Sequence, residues 1–244
     1  MNYTSIKPAV FLSRPNRFLA HVLVDGREEV VHVKNTGRCK EILQEGVRVI
    51  LEAAGNPNRK TKYSLIAAYK GNVLINIDSQ VPNSVVYETI KSNLLEEFQP
   101  VTKLLREVTY GNSRFDLYFE CGERKGFIEV KGVTLEADGA ALFPDAPTER
   151  GRKHIYEMIK AVEEGYEGYL FFLIQLKGVT HFTPNTLRDP AFAKALRLAH
   201  RKGVNILAYD ALVGEDEIRI GNPVKILLEK TPIEKNSLQS PDRI

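Results

Sequence analysis

Several things are missing from this 244-residue chain, and each absence removes a class of protein. No apolar run approaches the ~20 residues that a bilayer-spanning helix requires; the longest, residues 169–174 (YLFFLI), is strand-sized. The first twelve residues contain only Lys7 and a short mixed segment, so the basic and apolar regions of a secretory signal are not found there. Two cysteines, Cys39 and Cys121, are too few and too far apart for a disulfide framework or a zinc knuckle, and His21, His32, His181 and His200 show no metal spacing. No glycine-rich nucleotide loop is visible. Residues 189–202 read as a helix but are followed by strand-like sequence where the recognition helix of a helix-turn-helix would stand. A cytoplasmic protein that neither spans a membrane nor uses a dinucleotide is the expectation.

Net charge is also small, +3 overall, but it is unevenly placed. Residues 1–79 carry 12 Lys plus Arg against 7 Asp plus Glu, whereas the remainder carries 22 against 24. A basic first third is suited to gripping an anionic partner, and an ordinary solvated surface accounts for the same surplus equally well.

The first third reads as six short alternating strands, at residues 9–12, 18–24, 29–33, 47–51, 63–69 and 73–77. Asp25-Gly26 is a hairpin signal, and residues 35–43 suggest a turn followed by one or two helical turns. Strands in a row around one short helix suggest a small barrel of the oligonucleotide-binding (OB) type, with another small β-barrel nearly as well supported. Near residue 80 the pattern changes. A helix starts at Pro82, three strands follow at residues 103–110, 113–120 and 126–131, and then comes a loop over residues 135–148. Helix 150–164, strand 169–176, helix 189–202 and strand 204–209 complete an α/β layer arrangement. The expected organisation is therefore a barrel over residues 1–80, an α/β domain over 81–230 and a frayed tail over 231–244.

Strand alternation selects the chemistry. Phe115, Leu117 and Phe119 are expected to share one face, leaving Asp116 on the other with Arg114 and Tyr118. Glu129 and Lys131 share a face of the next strand, with Ile128 and Val130 on the core side. Two carboxylates with water and phosphate oxygens form the hard oxygen set that Mg²⁺ prefers, and Lys131 is suited to stabilising charge on phosphate. Phosphodiester hydrolysis is the reaction class that follows. The bland alternative is an exposed strand face with ordinary ion pairs. Arg150, Arg152, Lys153 and His154 at a helix start are candidate phosphate contacts. In the barrel Arg14, Arg17, Lys34, Arg38 and Lys40 are candidates for backbone phosphate, and Phe11, Phe18 or Tyr63 for stacking, although most of these aromatics suit a core better. Asn35-Thr36-Gly37-Arg38 reads either as a phosphate-binding turn or as a tight turn. Gln175 ends a buried strand near the site, where a polar strand end is an equal reading.

The blocks GNSRFD (111–116), FIEVKGVTL (127–135) and ALFPDAPTERGRKH (141–154), with RFLA (17–20), NTGR (35–38), Pro82-Asn83 and DPAF (189–192), resemble the sugar fermentation stimulation protein family. The resemblance runs to about Leu207 and implies an OB-type barrel followed by a PD-(D/E)XK nuclease-like three-layer α/β domain, with DNA as the partner and RNA as the alternative. It maps the nuclease-type acid onto Asp116 and the Glu-x-Lys onto Glu129 and Lys131. Val130 between them joins the metal ligands, Mg²⁺ or Mn²⁺ is the implied cofactor, and Glu88 is the candidate auxiliary acid, with Glu107 its competitor. Arg114 joins the nucleic-acid contacts. The literal Pro-Asp that names the superfamily is replaced by Gly-Asn-Ser-Arg-Phe-Asp. The two functions left open are a metal-dependent nuclease and a non-cleaving DNA-binding regulator of sugar utilisation; the oligomeric state, a homodimer included, is left open too.

Overall fold

The computed structural model describes residues 1–35, 37–56 and 58–229. Thr36 and the expected tail over residues 231–244 lie outside the described residues. Strands β1 (Ile6–Ser13), β2 (Leu19–Val24), β3 (Arg27–Val33), β4 (Arg48–Ala53), β5 (Tyr63–Lys70) and β6 (Val73–Asn76) form the first sheet. Its order is β3-β2-β1-β4-β5-β6, and an extra parallel pairing of β3 with β5 closes five strands into an OB-like barrel, with β6 appended. The β2–β3 hairpin turns at Asp25-Gly26, both with positive φ (48° and 77°), as a primed turn demands. Of the one or two helical turns expected within residues 35–43, the described residues form a single turn at Cys39–Leu43 and no regular helix. Cys39 takes φ 47°, outside the helical range, and its carbonyl accepts from Ile42 N and Leu43 N in an isolated turn.

Period-2 alternation explains how the barrel joins the rest. On β4, Val49 and Leu51 point into the barrel, whereas Ile50 points outward into a second core together with Val85, Val86 and Leu117. The barrel is thus packed against the α/β layers by shared apolar side chains.

Helix α1 (Val81–Lys91) leads into β7 (Lys103–Tyr110), β8 (Ser113–Cys121), β9 (Arg124–Val133), β10 (Leu135–Ala137) and β11 (Ala140–Phe143). Then follow α2 (Glu149–Glu163), β12 (Glu167–Ile174), β13 (His181–Pro184), α3 (Pro190–Arg201), β14 (Asn205–Val213), β15 (Ile218–Pro223) and β16 (Lys225–Ile226). The main sheet has the order β15-β14-β12-β9-β8-β7, with β12 parallel to both β9 and β14. Tyr169, Phe171 and Leu173 of β12 face the α1 side, and Leu170, Phe172 and Ile174 face α2 and α3, so this central strand is apolar on both faces. Within residues 135–148, expected to be a loop, β10 and β11 form a hairpin that joins β13 and β16 in a small sheet of order β10-β11-β13-β16. Among the described residues no helix is long and apolar enough to cross a membrane.

One expectation about β8 is overturned. Leu117 and Phe119 pack on the α1 side, but Phe115 packs on the α2 side, against Tyr110 and Phe127. The cause lies at Asp116. Pairing of β8 with β9 stops at Leu117–Ile128, and on β7 Glu107, opposite Asp116, takes φ 57°. The strand turns about its axis there, and the sheet opens between β8 and β9.

Candidate metal centre

Asp116 sits at that opening. Its Oδ2 accepts the Val130 main-chain N–H (2.8 Å), which takes the place of the missing ladder bond, and its Oδ1 accepts from Asn83 Nδ2 (2.7 Å) at the start of α1. Burial, and then the charge of Glu129, push the Asp116 carboxyl above its ordinary range.

Glu129 is 1% exposed, because β9 is a central strand with helices on both faces. The polar strand face expected at the mouth of the sheet is therefore interior. Its Oε1 accepts from Lys131 Nζ (2.5 Å) and from Nδ1 of His154 on α2. Burial alone would raise the Glu129 pKa, but the His154 hydrogen bond and the Lys131 charge outweigh it and hold the group below the usual range. The other oxygen, Oε2, is buried and has no hydrogen-bond partner among the described residues. A buried carboxylate oxygen without a donor costs about 1–3 kcal/mol or more, so it calls for an explanation. A cation beside Oε2 and Asp116 supplies one. Among the described residues no group of three or more His, Cys, Asp or Glu forms a metal cage. The available set is two carboxylates and main-chain oxygen, which suits a cation that keeps several waters or takes phosphate oxygens.

The other predicted residues fall into two groups. Glu88 is exposed and paired with the Met1 amino group (3.1 Å), and the structure does not bring it to the carboxylates; α1 contributes Asn83 instead. Glu107 pairs with Arg114 (2.7 Å) in an exposed bridge. His154 is not a surface residue: it is buried, with its ring nitrogen on Glu129. Arg152 is held by Asp189 (3.2 Å), Lys153 donates to the Asn112 carbonyl (2.8 Å), and Arg150 is exposed.

In the barrel, Arg14 is a structural clamp. Its guanidinium donates to the carbonyls of Gly37, Arg38, Arg17 and Asn35 at 2.5–2.8 Å, which uses the donors a phosphate would need. Asn35 is committed as well, with Nδ2 on the Ile77 carbonyl and Oδ1 accepting from Gly37 N. Lys34 lies between Glu52 and Asp78. Gln175 is buried and donates to Asn76 Oδ1 and the Asp78 carbonyl, joining barrel to sheet. Phe11 belongs to the core, whereas Phe18 is 57% exposed. Arg17, Arg38 and Lys40 are exposed around a surface cavity of about 410 Å³.

The missed residue is Asn83, whose signals were a polar side chain on the first turn of α1 and its place in the Pro82-Asn83 block of the family resemblance. His154 had a stronger signal: it precedes Met158 by four residues and adjoins Ile155 on the buried stripe of α2.

Residues 12–77 match the description "SfsA N-terminal OB domain", and residues 80–217 match "Sugar fermentation stimulation protein RE domain". The chain belongs to the sugar fermentation stimulation protein family. Relatives described as sugar fermentation stimulation protein homologs include one from Alkaliphilus oremlandii, 56% identical over 231 residues, covering 93% of this chain and 98% of the relative. Another, from Desulfitobacterium hafniense, is 54% identical over 228 residues, covering 93% and 99%. A solved structure described as Pyrococcus furiosus SfsA in complex with Ca²⁺ is 29% identical, has a TM-score of 0.85 and aligns over 93% of this chain and 98% of that one. For this family member the OB-like barrel and the α/β layers are therefore a shared architecture.

Proposed function

We propose that the protein is a divalent-metal-dependent phosphodiesterase acting on nucleic acid, with the barrel gripping the polyanion and the Asp116, Glu129, Lys131 cluster carrying the chemistry. The observation that carries this reading is the bare, buried Oε2 of Glu129, together with a second carboxylate, Asp116, whose ionised form is disfavoured by burial and by the charge of Glu129. Such a pair is poorly explained as scaffolding, because like charges in a low-dielectric setting repel, and well explained as one half of a cation site. Mg²⁺ or Mn²⁺ fits the oxygen-only donors, and the Ca²⁺ in the Pyrococcus furiosus relative is in keeping with a hard-cation site in the family.

Asp116, Glu129 Oε2 and the Val130 main-chain oxygen would hold the ion. When bound, it polarises a phosphate oxygen and acidifies a water. The chain's own residues do the rest. Val130 N–H and Asn83 fix the Asp116 carboxylate so that it does not rotate toward solvent. The Lys131 ammonium, 19% exposed and held by Glu129, places a positive charge that an incoming phosphate reaches from the open side, where it stabilises developing negative charge. Arg17, Arg38 and Lys40 supply the barrel's positive rim, and base stacking would fall to the exposed Phe18. A second cavity of about 160 Å³ shares Gly37 with the basic one and reaches Gly132, next to Lys131, which supports a route from barrel to site.

The non-cleaving regulator is favoured by one observation, that the expected third carboxylate, Glu88, is elsewhere. Cleavage separates the two. Wild type and Lys131→Ala are incubated with single- and double-stranded DNA and RNA, with Mg²⁺ or Mn²⁺ and with chelator. Divalent-dependent cleavage by wild type that Lys131→Ala lacks is expected. Absence of cleavage on every substrate, with DNA binding retained, would establish the regulator reading.

A further inference from the structure

The histidine on α2 has a use that a phosphate contact does not describe. His154 is 7% exposed, and its Nδ1 donates to the same Glu129 oxygen that receives Lys131, so Oε1 is doubly occupied while Oε2 is bare. A carboxylate free to rotate about its terminal torsion would share these donors between its oxygens. Two donors converging on one oxygen, from the same strand and from a packed helix, fix which oxygen faces the cation.

The local structure that delivers His154 is itself strongly determined. Thr148 caps α2 through Oγ1 to Gly151 N (3.0 Å), and its own N–H donates to Asp189 Oδ2 (2.9 Å). Asp189 at the same time caps α3 through Phe192 N (2.9 Å) and holds Arg152. A Cβ at Gly151 would lie 2.8–2.9 Å from the Thr148 side chain and 3.3 Å from Phe192, so the close packing of the two helix starts requires glycine there. The ring of His154 meets the edge of Phe115, the residue turned to this face by the break in β8 (centroids 6.4 Å apart). Three features, the double cap, the glycine and the strand break, therefore place the imidazole against Glu129.

We infer that His154 is a positioning residue for the metal site: by holding Glu129 Oε1 it presents Oε2 to the divalent cation. This rests on the metal reading above. Loss of an outer partner of this kind costs about 10- to 100-fold in metal affinity. Asparagine at this position keeps a donor close to where Nδ1 stands; leucine fills the space without one.

The test is Mn²⁺ binding to the full-length protein, followed by the electron paramagnetic resonance of the free ion, for wild type, His154→Asn, His154→Leu, His154→Ala and Glu129→Gln, with thermal unfolding of each in chelator. Expected are binding by wild type, its loss in Glu129→Gln, an affinity lowered about 10- to 100-fold in His154→Leu and His154→Ala, and return to within about threefold of wild type in His154→Asn. If His154→Ala fails to fold, the Asn and Leu variants still decide. Leucine binding Mn²⁺ as wild type does, or asparagine as weak as leucine, overturns the positioning role and leaves the metal site standing. Wild type that binds no Mn²⁺, or Glu129→Gln that binds it unchanged, overturns the metal reading and the inference with it.

Discussion

Replacing Asp116 by Asn is expected to stabilise the metal-free protein, although the residue makes two well-formed hydrogen bonds. Both bonds survive the change: one amide oxygen still accepts the Val130 N–H, and the new amide nitrogen donates to Asn83 once the Asn83 amide is turned over. What is lost is a half-buried negative charge facing Glu129, and its raised pKa states that ionisation there is unfavourable in the folded chain. Relief of such functional strain is commonly worth about 0.5–2 kcal/mol, which for a chain of this size shifts Tm by roughly 1–8 °C. With saturating divalent ion the order reverses. A ligand at 100 times its Kd adds about 2.7 kcal/mol to wild type, whereas the variant lacks a ligand and gains little. Thermal or urea unfolding followed by circular dichroism, in EDTA and in millimolar Mn²⁺, reads both halves. A variant less stable than wild type by more than about 1 kcal/mol in EDTA, or equal gains from Mn²⁺ in both proteins, would refute the reasoning.

Three further outcomes follow from contacts elsewhere in the chain. Asp189 is held below the usual carboxylate range: its burial, which alone would raise it, is outweighed by the Thr148 and Phe192 N–H groups and by Arg152. A depressed folded pKa contributes stability that is present above the unfolded value and lost as pH falls through the folded one. Asp189→Asn should therefore cost about 1–3 kcal/mol at neutral pH in urea melts, with the gap closing in acid; a gap that persists at low pH would remove the charge from the account. In the barrel, Arg38→Ala should weaken nucleic-acid binding and reduce the slope of log affinity against log salt by about 0.7 on single strands, while Arg14→Ala should lower stability. An unchanged slope for Arg38→Ala in fluorescence-anisotropy titrations takes it off the phosphate path.

How much of this was legible in the sequence depended on whether a residue's neighbours are set locally. Alternation located the five barrel strands and the appended β6 because each has one face in the barrel core, and the apolar stripes of α2 and α3 marked those helices. Strands β10, β11, β13 and β16 were not read because they run only two to four residues each, and two of their pairings join distant segments, as Ala140–Phe143 with His181–Pro184 shows; β15, which pairs with its sequence neighbour β14, was missed as well. That β8 and β9 are neighbours, the condition on which alternation could bring Asp116 near Glu129 and Lys131, holds, although their pairing ends at Leu117–Ile128. The break that turns Phe115 to the opposite face was not readable, because it depends on Glu107 of the neighbouring strand. Arg14 was misread for a related reason: a basic side chain in a loop reads as ligand-facing until the carbonyls that it serves are known, and those include Gly37 and Arg38; Asn35, left open between a phosphate-binding and a tight turn, takes the tight-turn form. His154 was obscured by the charged run around it, although its place on the buried stripe of α2 was visible.

The central claim is that Asp116 and Glu129 share a divalent cation, and an anomalous difference map from a Mn²⁺-soaked crystal tests it most directly. Expected is a peak within about 2.0–2.4 Å of an Asp116 oxygen and of Glu129 Oε2, with Oε1 still held by Lys131 and His154. A map with no peak between these two carboxylates at saturating Mn²⁺, or with Lys131 Nζ occupying that position, would contradict it.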